Sequence, residues 1–98
     1  MKTPTEMKVT VTKEQYETLE ALAYWCHEYA YAKERNDAEG MHKGIDNMGY
    51  HEFMAEMSGI PDAITEMFME YGNDWRNYTN TYTSDFAKKN GVVIIKEV

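Results

Sequence analysis

The sequence predicts an α+β fold: three to four helices packed on a small sheet formed by the N- and C-terminal strands, in the order β-α-α-α-β. Three observations predict it. Met7 to Val11 alternates, with Met7, Val9 and Val11 on one side and Lys8 and Thr10 on the other, as a short half-buried strand does. Val92 to Ile95 is an unbroken apolar run, the pattern of a buried strand. Between them, apolar residues recur at spacings of three and four. Ninety-eight residues suit a single domain with one small core, spanning 1–98 with residues 1–6 as a loose tail around Pro4.

Taking the elements in order, Thr12 ends the first strand and starts a helix. Thr12 and Gln15 have the spacing of a capping box, in which each side chain satisfies a backbone amide of the other residue. Tyr16, Leu19, Leu22, Ala23, Cys26, Tyr29 and Ala30 then trace an apolar face to about residue 35. Glutamates lead this helix, and Lys33 and Arg35 close it, as the helix dipole favours. Asn36 to Gly49 is less regular. Gly40, Gly44 and Gly49 each weaken a helix by about 1 kcal/mol relative to alanine. That composition predicts a turn at 36–38, a short irregular helix, and a separate helix from Tyr50 to Met57. Ser58-Gly59 stops it, with Gly59 suited to the left-handed conformation. Pro61 fits the first turn of the next helix. Its apolar face, Ile64, Met67, Phe68, Tyr71, Trp75 and Tyr78, predicts helix to about residue 80, with a kink at Gly72-Asn73. Ser84-Asp85 has the character of a cap for one last helical turn.

Charge divides the chain. Residues 1–13 and 86–98 hold six lysines against Glu6 and Glu97, whereas residues 14–85 hold fifteen acids against Lys33, Arg35, Lys43 and Arg76. The formal net charge is -7. A surface of that sign repels nucleic acid and anionic membranes and favours basic partners. No apolar run reaches the roughly 18 residues of a membrane span, and no leader-like stretch opens the chain, so a cytoplasmic location is expected. One cysteine allows no intrachain disulfide.

Motifs for chemistry are few. Glu39 and His42 have the Glu-x-x-His spacing of di-metal bundles, but that motif occurs once where two are needed. His51-Glu52 begins a zinc-protease pattern whose second histidine is replaced by Ala55. Cys26 lies on an apolar face with Glu28 nearby, which suits a small hydrophobe better than a nucleophile. No glycine-rich phosphate loop is present. The expectation is therefore a non-enzymatic protein with no catalytic residue, no metal site and no cofactor. Met41, Met48, Met54, Met57, Met67 and Met69 read as core filling at helical spacing.

The most specific pattern is a row of acids. Asp62, Glu66, Glu70 and Asp74 recur every fourth residue, drifting across only about 120° of a helix and opposite its apolar face. Each step rises about 6 Å, close to the roughly 6–7 Å between phosphates on one nucleic-acid strand. Three like-charge pairs at this spacing cost the helix on the order of 1 kcal/mol. Glu52 and Glu56 repeat the spacing on the preceding helix. Such a row reads either as a solvated face or as a docking face for a basic groove. In size, charge and aromatic content the chain is similar to the small acidic proteins of phages and mobile elements, such as DNA-mimic antirestriction proteins and some anti-CRISPR proteins. No stretch matches one of those families, so no residue role carries over.

The expected function is inhibition of a basic, nucleic-acid-handling protein by an acidic helical face. Its contact residues would be Asp62, Glu66, Glu70 and Asp74, supported by Glu52 and Glu56, with Trp25 and Tyr31 as aromatic anchors. Direct nucleic-acid and membrane contact are not expected. The alternatives are a structural or regulatory homo-oligomer built from the terminal strands and surplus aromatics, and a small-ligand protein with a Tyr/Trp/His pocket.

Overall fold

A computed structural model describes residues 9–74 and 92–95. Five elements follow one another: β1 (Val9–Thr12), α1 (Lys13–Glu34), α2 (Ala38–Met57), α3 (Asp62–Asn73) and β2 (Val92–Ile95). The α+β expectation is overturned. Helices of 22, 20 and 12 residues take up 54 of the 70 described residues, and the helices pack on one another instead of on a sheet. β1 and β2 run side by side in a parallel ladder, from Val9 opposite Val92 to Thr12 opposite Ile95. Four residue pairs offer no face broad enough to carry three helices, and two strands alone are marginally stable. α1 takes that role, because it buries Tyr16, Leu19, Leu22, Ala23, Cys26 and Ala32 along its length.

The ends of α1 and α2 follow directly from their sequences. The Thr12 hydroxyl accepts a hydrogen bond from the Gln15 amide at 3.1 Å, and the Gln15 side-chain oxygen accepts one from the Thr12 amide at 2.9 Å. The same Gln15 side chain donates through Nε2 to the Ser58 carbonyl at 2.8 Å, which ties the start of α1 to the end of α2. Both interhelical turns begin alike. After α1, Asn36 takes φ 57°, and the amides of Asn36 and Asp37 donate to the carbonyls of Lys33 and Ala32. After α2, Gly59 takes φ 84°, and the amides of Gly59 and Ile60 donate to Glu56 and Ala55. These are Schellman closures, in which one left-handed residue lets the last turn satisfy its free carbonyls. Asp37 also caps α2, accepting from the Gly40 amide at 3.0 Å.

α2 is one continuous helix, not the irregular segment and separate helix expected across Asn36 to Met57. Tertiary packing outweighs the low helical propensity of its glycines. Gly44 is buried against Tyr29 of α1, where an added Cβ would stand 2.9 Å from the Tyr29 Cβ and 3.1 Å from its Cα. Gly72 does the same for α3, since a Cβ there would stand 2.9 Å from the Ala23 Cα. The backbones of α2 and α3 thus touch α1 at two glycines.

The core joins Val11, Tyr16, Leu19, Ala23, Ala55, Ile60, Ile64 and Phe68, with Met67 and Tyr71 packed against it. Tyr16 and Phe68 meet edge to face, their ring centroids 6.4 Å apart. Of the methionines expected as core filling, Met67 packs against the core, Met41, Met48 and Met69 are half-buried, and Met54 and Met57 are exposed. α3 ends at Asn73, short of the expected residue 80. The tail at 1–6, Trp75, Tyr78 and the Ser84-Asp85 cap lie outside the described residues.

Two predictions test this packing. Gly44→Ala and Gly72→Ala each lower unfolding free energy by about 1–3 kcal/mol through overpacking, whereas Gly49→Ala, with nothing within 4 Å of its added Cβ, raises it by about 0.5–1 kcal/mol. Urea melts measure all three, and an unaffected Gly72→Ala would contradict the close crossing. Separately, Gln15→Glu keeps an acceptor for the Thr12 amide but loses the donor to Ser58. It lowers stability by about 1 kcal/mol, and a neutral result would remove the cross-tie from the account.

Candidate functional site

The acids expected to act together lie on α2 and α3 and on the chain leaving α3. Pro61 is the N-cap of α3, and its fixed φ of -59° suits the entry to the helix. Asp62 follows as the first helical residue and sits favourably against the positive end of the helix. Glu66 and Glu70 follow at one-turn intervals, both exposed. Asp74 is exposed too, but it lies past the helix as its C-cap, with φ -86° and ψ 74°. The helical row therefore holds three acids, and the fourth stands on the chain leaving it. Glu70 falls in the last turn, where the helix dipole opposes a negative charge.

The turn at Ser58 to Pro61 folds α3 back beside the end of α2. That brings Glu52 and Glu56 of α2 around one shallow cleft of about 220 Å³ with Asp62, Thr65 and Glu66 of α3. Among the described residues, no Lys or Arg lines this cleft. Thr65 at its base is buried, and its hydroxyl donates to the Pro61 carbonyl at 3.3 Å. Four of the acids expected to act together thus converge. Among the described residues, no group of three His, Cys, Asp or Glu side chains is arranged to hold a metal ion.

The two aromatic anchors do not join them. Trp25 is half-buried on α1, edge to face with Tyr24 at 5.1 Å and with the Lys43 ammonium 5.9 Å from its ring. Tyr31 lies about 120° away around the same helix. It stacks on His27 at 6.3 Å, with the Arg35 guanidinium 4.8 Å from its ring. Neither lines the acidic cleft. Tyr24, His27, Tyr31 and Arg35 form a ladder along α1 rather than a pocket. Burial holds the His27 imidazole below its usual range, opposed by the charge of Glu28.

Cys26 is completely buried. Burial pushes its thiol up to about 12, and the negative charge of Glu52 adds to the shift. The thiolate is the nucleophilic form, so this cysteine is inert.

An apolar strip on α2 is absent from the expected site. Tyr50, Phe53 and Met57 are 58%, 57% and 69% exposed, and Met54 stands beside them at 39%. Their spacing of three, four and seven was visible in the sequence. So was its counterpart, small Gly44 and Ala55 on the opposite side of the helix, which turns the large residues outward. No helix among the described residues is long and apolar enough to cross a membrane. No known protein family matches the chain, and neither does any curated protein or solved structure.

The state of Cys26 gives a direct test. At pH 8 a thiol-reactive dye should label the native protein at a small fraction of the rate seen in denaturant. Equal rates in the two states would mean that the α1 core is open.

Proposed function

We propose that this is a non-enzymatic binding protein whose acidic helical face occupies the basic, nucleic-acid-binding surface of a protein partner and inhibits it. Anti-defence inhibitors of phages and mobile elements provide the functional pattern. The observation that carries the reading is the convergence of Glu52, Glu56, Asp62 and Glu66 on one exposed cleft, with no lining cation among the described residues. Glu70 and Asp74 extend the same charge along α3 and its exit.

Physical cost supports this reading. Glutamates one turn apart repel, and a glutamate in the last turn opposes the dipole. A lysine at Glu70 would relieve both effects, so the present sequence gives up some helix stability to keep a continuous negative face. Lys and Arg from a partner would neutralise that face, and long-range attraction would steer the encounter. The roughly 6 Å rise between successive acids matches a surface that normally receives phosphates. Trp25 and Tyr31 have no place in this contact, because they stand elsewhere on α1.

Purified nucleic-acid-handling proteins with basic clefts, including restriction enzymes and RNA-guided nucleases, form the test panel. At least one should bind the protein with an affinity that falls steeply with salt and in competition with duplex DNA. Glu66→Lys/Glu70→Lys should weaken that binding by roughly tenfold or more, while leaving the melting temperature unchanged or higher. Binding that survives this double reversal, or that ignores competing DNA, would sink the proposal.

A further inference from the structure

We propose that the outward strip of α2 is a docking site for a basic amphipathic helix of the partner protein, an inference that rests on the reading above and specifies its contact. Tyr50, Phe53, Met54 and Met57 stand at i, i+3, i+4 and i+7, within about 100° of the helix circumference. That spacing is the one by which helices present anchors to a helical partner. All four are exposed, and a contiguous apolar strip of this kind on a charged surface marks an interaction site.

Charge on both flanks selects the occupant. On one side lies the cleft of Glu52, Glu56, Asp62 and Glu66. On the other, a groove of about 670 Å³ runs between α1 and α2, with Tyr50 and Met54 on one wall and Glu14 and Glu17 on the other. Among the described residues, no Lys or Arg lines either side. A second copy of this chain seated strip against strip would set acid against acid on both edges, a juxtaposition that disfavours pairing. Nucleic acid and anionic lipid carry the wrong charge. The complementary occupant has an apolar stripe with Lys or Arg along each edge.

A dye-labelled helical peptide of leucine and lysine, amphipathic by design, is the probe, with a scramble of equal composition and a version carrying glutamate for lysine. Fluorescence anisotropy reads binding to the full chain. The amphipathic peptide should bind at least tenfold more tightly than the scramble, and the glutamate version should not bind. Phe53→Ser/Met57→Ser should abolish the tenfold advantage, and Tyr50→Ser should reduce it, with helical circular dichroism unchanged because these side chains are exposed. Equal binding of amphipathic and scrambled peptides would overturn the inference while leaving the acidic-face proposal standing. Binding of neither would overturn both. Self-association of the chain alone, abolished by Phe53→Ser/Met57→Ser, would overturn the inference in favour of a second copy.

Discussion

The close crossing of α2 and α3 onto α1 is the constraint from which the remaining structure follows. α1 is the only element that both other helices pack on extensively among the described residues, and each reaches it through a glycine. Gly44 lies on Tyr29 and Gly72 on Ala23, with less than a methyl group of spare room at either point. Backbones this close leave little volume between the helices. The core is accordingly built from a few large side chains, Leu19, Leu22, Ile64 and Phe68 among them, set between small ones.

Pressing small residues inward forces large ones outward. α2 buries Gly44 and Ala55 and turns Tyr50, Phe53 and Met57 to solvent. The same turn that reverses the chain after α2, closed by Gly59 in the left-handed conformation, places the start of α3 beside the end of α2. Carboxylates from two helices then share one cleft. The apolar strip and the acidic cleft are two consequences of one packing arrangement. Burial of Cys26 belongs to it as well, since the thiol lies in the α1 interior with the charge of Glu52 near enough to raise its pKa further.

Local signals in the sequence proved more legible than global ones. The capping box at Thr12 and Gln15, the stop at Gly59 and the apolar face of α1 could all be read directly, because each depends on residues within one or two turns. The α+β class could not. Alternation at Val9 and an apolar run at Val92 are the same whether the strands build a sheet or only a short ladder, and the width of a sheet is not a local property. The continuity of α2 is hidden from the sequence for a related reason. A glycine's propensity cost is local, but the close contact that offsets it depends on where Tyr29 lies. The acidic row was visible as a pattern, whereas its meeting with Glu52 and Glu56 required the turn geometry. Tyr24, Trp25, Tyr29 and Tyr31 are too many aromatics for one helical face, which implies that some lie off the core, but such crowding does not tell which of them stand beside the acids.

Side-chain NMR in the presence of a soluble paramagnetic agent tests the central claim most directly, because it reports which face of α2 meets water. The account predicts strong broadening of the Phe53 ring and Met57 methyl signals, with the α-protons of Gly44 and Gly72 protected. Protected Phe53 and Met57 signals beside a broadened Gly44 would mean that α2 packs through its large residues, and would contradict both the fold and the binding surface derived from it.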